Sequence, residues 1–322
     1  MAINKTQHLK DVLESHKIKK EQTLLDKHIA KRNEIKESLE EKYSFNIYSP
    51  FNSGSYAKNT AVNKKFDFDF MVPFKRNAFD TLEQMFNDVF DFLQEKYKAS
   101  AIIKKQKVSI GLEFFPDEIG DIVKIDLVPG RELNKDQYLK DKNLNLYVYN
   151  QFGSFQKGSE RIQSNIHAQV DNIRQSADSQ SLRQLIRLLK VWKLYNNKSI
   201  KSFFIELISI RAFEDKEPEG DLWTILEIVL HFINENIETI ALPDPGNSNN
   251  NVADSLSDID KSLISTDVKN MLDNIELNSD FIKTYFPINS KFPCTDDNQK
   301  GSYYGVKKEG PSIPPPTRFG HL

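Results

Sequence analysis

The sequence predicts an α+β chain in three parts: a sheet-bearing first half, an all-helical second half and a polar tail. Three observations carry this. Alternating, β-branched runs mix with helical periodicity up to about residue 158. Helical patterns then run almost unbroken over 159–286, and from 287 to 322 glycines and prolines break the periodicity. With 322 residues, 39% hydrophobic and 28% charged, the chain can bury more than one core and is too apolar for general disorder.

The parts are read in order. Residues 5–43 lack Gly and Pro, and Leu24, Leu25, Ile29, Ile35 and Leu39 recur at near-helical spacing, which predicts one long, mostly solvated helix. A short strand at 45–50 leads into the turn Asn52-Ser-Gly-Ser55. Phe66–Pro73 alternates and reads as a strand, 78–97 as a helix, and 101–115 and 121–128 as strands. Helices are expected at 160–175, 179–196, 202–214, 221–239 and 259–277, with a loop by composition at 242–251. The run Pro314-Pro-Pro316 favours an extended tail, with Phe292, Tyr303 and Tyr304 as candidate anchors over the helical half.

Composition also excludes. A net charge of -2 argues against a strongly basic nucleic-acid wrapper. Cys294 is the only cysteine, so no intrachain disulfide or Cys-based zinc site forms. The first twenty residues are polar and no apolar run approaches the roughly 20 residues of a bilayer span. A cytoplasmic protein without a membrane partner is therefore expected.

The chemistry concentrates in Gly54-Ser55-Tyr-Ala-Lys-Asn-Thr60 and Phe66-Asp67-Phe68-Asp69-Phe70. Side chains of a strand alternate between faces, so Asp67 and Asp69 project together while the phenylalanines fill the other face. Paired carboxylates repel each other and favour a hard divalent cation such as Mg²⁺. The Gly-Ser turn offers amides and a hydroxyl to a triphosphate. A lone Asp-x-Asp is more often the solvated face of an edge strand. A third acid, Asp126 in Val123-Lys-Ile-Asp-Leu-Val-Pro129, weighs against that, since Val123, Ile125 and Leu127 face the core and leave Asp126 opposite. Asp121 has the wrong parity and reads as a turn residue.

The second half adds Arg183, Arg187, Lys190, Lys193, Lys198 and Lys201 between residues 179 and 201 with no acidic residue among them. Arg183, Arg187 and Lys190 fall at i, i+4, i+7 and share one helix face. The bland reading is a solvated basic face. Trp192 reads as a packing anchor, Phe203 is equally a base-stacking or a core residue, and His28, His167 and His231 have no ligand spacing.

Gly54-Ser55, the Asp67/Asp69 pair and Asp126 resemble the active-site signature of the polymerase-β-like nucleotidyltransferases. Arg187-Leu-Leu-Lys190-Val-Trp192-Lys193, Lys201-Ser202-Phe-Phe-Ile-Glu206-Leu and the Asp244-Pro245 to Asn251-Val252-Ala253 segment resemble the second domain of the bacterial cGAS/DncV-like nucleotidyltransferases (CD-NTases). The resemblance implies a polymerase-β-like core with an N-terminal spine helix over 1–158, an oligoadenylate-synthetase-like helical lobe over 159–286 and an extended tail over 287–322. It implies that Asp67, Asp69 and Asp126 are catalytic and hold two Mg²⁺ ions, with Mn²⁺ as a substitute. Gly54, Ser55, Lys190, Ser202 and Phe203 would bind nucleotide, ATP, GTP or both, with other NTPs open. The implied product is a cyclic di- or trinucleotide second messenger in anti-phage signalling, read by a separate effector. With no zinc ribbon, no DNA or RNA activator is expected. Some relatives are conjugated to other proteins through the C-terminus, which leaves a conjugation or accessory partner open for the tail, although this chain ends Arg318-Phe-Gly-His-Leu322. A linear oligonucleotide synthetase, an RNA-end nucleotidyltransferase and a non-catalytic nucleotide-binding protein remain alternatives.

Overall fold

Aromatic residues at every second position build the central strand. In the computed structural model, which describes residues 3–64, 67–150, 161–176 and 178–293, Phe68, Phe70, Val72 and Phe74 are fully buried on one face of β2 (Phe68–Phe74). Phe66, Cys294, Tyr303, Tyr304, the boundary expected at 158 and the tail beyond 293 lie outside the described residues.

Five strands form the main path, in the order β1 (Phe51–Asn52), β2, β5 (Lys124–Glu132), β4 (Ile110–Phe114) and β3 (Ala101–Lys105). β2 and β5 run parallel, joined through the helix α4 (Leu82–Tyr97), and the other pairs are antiparallel. β6 (Leu144–Tyr147), after a short helix at Tyr138–Asp141, extends the sheet from the end of β5, and β7 (Arg161–Ser164) pairs with β6. On the buried face, β2 and β5 meet Met85, Phe86, Val89 and Leu93 of α4, together with Leu25, Ile35 and Leu39 of α2 (Gln22–Tyr43).

The helical half packs a second core from α7 (Ser179–Tyr195), α8 (Ser202–Lys216), α9 (Leu222–Asn236) and α10 (Asp258–Leu277), beside the shorter α6 (Ile166–Arg174). Among the described residues no helix is long and apolar enough to cross a membrane. Two expectations need correction here. Residues 161–165, within the helix expected from 160, are not helical, because β7 occupies 161–164 and α6 starts only at Ile166, capped by Asn165. The loop 242–251 is a small hairpin, Pro243–Asp244 with Asn247–Asn251. Buried Asp244 organises it by accepting from the Gly246 amide (2.8 Å) and from Gln169 Nε2 (3.0 Å).

The long N-terminal helix is also corrected, and the reason is a polar node rather than a breaker residue. α1 (Lys5–Ser15) ends, a 3₁₀ turn covers Ile18–Glu21, and α2 follows. The carbonyls of Ser15 and His16 accept from the Asn63 side-chain amide (2.9 Å) and the Asn63 backbone N–H (3.0 Å) instead of continuing the helix. The two pieces serve different cores: Leu9, Val12 and Leu13 of α1 join the helical lobe, while Leu25, Ile35 and Leu39 of α2 join the sheet.

The start of the region expected to be a loose tail closes the same node. Asn289 is buried, its amide N–H donates to Ser15 Oγ (3.0 Å), and its side chain donates to Asn63 Oδ1 (2.9 Å). Residues 287–293 therefore strap α1 to the loop that leads into Asp67. Phe292, by contrast, is only half-buried. Replacing Asn289→Ala deprives buried Asn63 Oδ1 of its donor and should cost about 1–3 kcal/mol in urea unfolding. An unchanged midpoint would mean that the strap does not hold the fold.

Candidate active site

The register of the parallel pair decides where the acids meet. Asp69 of β2 lies directly opposite Asp126 of β5, and parallel neighbours are about 4.8 Å apart. The apolar partners Phe68, Phe70, Ile125 and Leu127 are all fully buried, so a slip by one residue would drive both acids into the core. Asp67 sits one residue before the strand. Its charge is within reach of both others, as their proton affinities show. Asp69 is raised to about 7, first by burial and then by Asp67 and Asp126. Asp126 is raised by burial and by Asp67, against a hydrogen bond from Gln106 Nε2 (3.0 Å).

The Gly-Ser turn closes on this pair. Its short helix α3 (Gly54–Ala57) is tied to β2 by the Ser53 N–H, which donates to the Asp69 carbonyl (2.7 Å), and by Tyr56, whose ring centroid lies 4.4 Å from that of Phe68. Gly54 has φ +59°, and a Cβ there would lie 1.6 Å from Asp69 Oδ2, so the carboxylate occupies the space a side chain would need. Gly111 does the same on β4, where a Cβ would be 3.1 Å from Asp126 Oδ1 and 2.4 Å from Gln106 Nε2.

A cavity of about 270 Å³ opens beside the acids. Its lining includes Ser55, Asp67, Lys190 and Ser202, which the sequence singles out, together with Thr60 and Lys193. Lys193 Nζ donates to Ser202 Oγ (3.4 Å) at the start of α8. A larger cavity, about 910 Å³, lies elsewhere in the helical lobe. Asp178, Glu214, Glu217 and Glu219 line it with no Lys or Arg, the wrong charge for a triphosphate.

The basic stripe of α7 turns toward the backbone that follows the Gly-Ser turn. Arg183 Nε donates to the carbonyl of Lys58 (3.2 Å), Arg187 Nη1 to that of Asn59 (3.3 Å), and Lys190 Nζ to that of Thr60 (3.3 Å). Three cations one turn apart thus grip three successive carbonyls leaving the Gly-Ser turn. Lys190, expected to reach nucleotide, is buried. Its Nζ also contacts Thr60 Oγ1 (2.8 Å) and Glu206 Oε1 (2.9 Å), although it still lines the cavity. Burial pulls its proton affinity down and Glu206 opposes this. Phe203 is half-buried: its ring packs against the lobe core, with Lys58 Nζ 4.7 Å from its centroid.

Lys58 and Thr60 are the residues the reading overlooked, along with the role of Glu206. The available signal was a carboxylate within Phe203-Phe-Ile-Glu206-Leu-Ile-Ser-Ile210, an apolar run where an acid requires a buried cationic partner.

Asp67, Asp69 and Asp126 fit a hard divalent cation by their chemistry: oxygen donors only, crowded, with one carboxyl titrating near neutrality. Among the described residues no three acidic, His or Cys side chains are already gathered around a metal-sized point. Asp69 is turned onto Gly54 and Asp126 onto Gln106.

Comparison with known proteins agrees with this geometry. Residues 1–147 match the family model of the Second Messenger Oligonucleotide or Dinucleotide Synthetase (SMODS) domain. Solved structures that share the fold include the following three. One is CdnC of E. coli MS115-1 with ATP, at 19% identity and TM-score 0.64 over 89% of this chain and 98% of that one. Another is CdnG of Bradyrhizobium diazoefficiens with GTP, at 12%, 0.65, 88% and 96%. The third is the Vibrio cholerae DncV cyclic AMP-GMP synthase with a nonhydrolyzable GTP, at 12%, 0.57, 84% and 81%. No curated protein matches the sequence.

The raised proton affinity of Asp69 has a consequence for stability. Below the ordinary carboxylate range the group is protonated folded and unfolded alike, and stability is lost as pH rises through about 7 and the buried carboxylate is forced to ionise. In chelator, Asp69→Asn should therefore raise the melting temperature over wild type by more at pH 8 than at pH 5. A pH-independent difference would contradict the crowding of the three acids.

Proposed function

We propose that this chain, whose residues 1–147 match the synthetase-domain model and whose fold is that of CdnC and CdnG, is a cGAS/DncV-like nucleotidyltransferase that joins ATP, GTP or both into a cyclic di- or trinucleotide. The observation that carries the reading is the alignment of Asp69 with Asp126 beside a cavity that Asp67, Ser55, Lys193 and Ser202 line. In the reaction, a ribose hydroxyl oxygen of one nucleotide bonds to the α-phosphorus of the next. The bond to the β-phosphate breaks, and pyrophosphate and a proton leave. A second transfer of the same kind closes the ring, directly or after one more addition.

Each residue has a part. Asp67, Asp69 and Asp126 would hold Mg²⁺, with Mn²⁺ as substitute, whose charge offsets that of the triphosphate and acidifies the attacking hydroxyl. Ser55 and the amides of its turn hold the phosphates from the sheet side, and Lys193 and Ser202 do so from the helical side. Most of the catalysis is then positioning and charge complementarity to the departing pyrophosphate. The product would act as a second messenger on a separate effector in anti-phage defence, a role that follows from the family resemblance.

Labelled NTPs with Mg²⁺ and the protein should yield products that resist phosphatase and have the masses of cyclic species. Phosphatase-sensitive chains would replace ring closure by linear synthesis. Asp67→Asn combined with Asp69→Asn should abolish product while the circular dichroism spectrum is unchanged, because two charges are lost at nearly constant volume. Product at near wild-type rate from this variant would overturn the assignment of the acids.

A further inference from the structure

We propose that Glu206 is a positioning residue for the phosphate-binding turn, acting on the nucleotide through Lys58, Thr60 and Lys190 and without contact of its own. The inference rests on the reading of the cavity as a nucleotide site and adds to it a residue that links the two lobes.

Glu206 belongs to α8 and is 3% exposed. Its Oε2 accepts from Lys58 Nζ (2.7 Å), and its Oε1 accepts from Lys190 Nζ (2.9 Å) and Thr60 Oγ1 (3.3 Å). Lys58 and Thr60 come from the sheet half and Lys190 from α7, so one carboxylate closes a cluster drawn from three segments. Lys58, Thr60 and Lys190 are themselves almost wholly buried. Burial alone would raise the proton affinity of Glu206, but the two ammonium groups outweigh it and the carboxyl stays ionised.

The cluster governs the turn because residues 58–60 are bonded back to it. The Lys58 N–H donates to the Gly54 carbonyl (3.3 Å) and the Thr60 N–H to the Ser55 carbonyl (3.0 Å). Fixing the side chains of 58 and 60 therefore fixes the backbone that presents Ser55 to the cavity. From the other side, Arg183, Arg187 and Lys190 hold the carbonyls of 58, 59 and 60. A negative charge next to a polyanion site is electrostatically unfavourable for the ligand. Its presence makes sense if the geometry it imposes matters more than its field.

That opposition gives a test of sign. Binding of a nonhydrolysable ATP analogue with Mg²⁺ is measured by calorimetry on wild type, Glu206→Gln and the double variant Lys58→Met with Glu206→Gln. If only the local field counted, Glu206→Gln would bind more tightly. Positioning predicts weaker binding, by about tenfold, the order of one charged hydrogen bond. The double variant removes the Lys58–Glu206 pair together, which is often neutral for stability. Lys190 keeps as acceptors the Thr60 oxygens and the side-chain carbonyl that Glu206→Gln retains. The double variant should therefore melt above Glu206→Gln and still bind weakly, because the tie between the turn and α8 is gone. Equal or tighter binding by Glu206→Gln, or wild-type affinity in the double variant, would overturn the proposal. Wild type that binds the analogue and forms no product would count against the synthetase reading and leave this one standing, since the readout is affinity.

Discussion

Like charges on neighbouring strands set the terms for the rest of the molecule. Asp69 and Asp126 face each other across a parallel pair whose opposite face is fully buried phenylalanine, isoleucine and leucine. The hydrophobic side holds the register, and the register buries the acids beside each other, at a cost shown by the upward shift of both carboxyls, which burial causes first and the neighbouring charge of Asp67 increases. Gly54 and Gly111 each leave room for one of them. Strain of this kind is what a cation-binding site stores before its ion arrives.

The second constraint is the seam between sheet and helical lobe. The Gly-Ser turn presents Ser55 to the cavity only while its orientation toward the lobe is set. Here that is done by backbone carbonyls gripped by Arg183, Arg187 and Lys190 and by the Glu206 cluster. The clamp is buried, and burying charge costs free energy unless each group is paired. Within this cluster Glu206 is one anion shared by two cations, Lys58 and Lys190, and Thr60 supplies further acceptors to Lys190. The Ser15, Asn63 and Asn289 node does comparable work with neutral groups on the loop before Asp67.

Much of this was legible before any coordinates. The period-two alternation around Asp67 and Asp69 and the parity of Asp126 correctly put apolar residues inside and acids outside, because register and face follow from sequence alone when one face is buried. Asp121, set aside on parity, pairs with Lys27 at 2.6 Å. What the sequence did not show shares a cause. The break after Ser15, the tie of Asp244 to Gln169 and the partners of Lys190 all depend on hydrogen bonds between residues far apart in the chain. A helical stripe of cations looks the same whether it faces phosphate, water or a carbonyl. Glu206 was visible as an acid in an apolar run, but its partners were not, since Lys58 lies 148 positions away.

The central claim is that Asp67, Asp69 and Asp126 form one cation site coupled to nucleotide. Calorimetric titration of Mg²⁺ at pH 8, with a saturating nonhydrolysable ATP analogue, tests it most directly on wild type and on Asp126→Asn. The account predicts clear binding by wild type and at least a tenfold loss in the variant, about 1.4 kcal/mol. Equal Mg²⁺ affinity in the two proteins would contradict it.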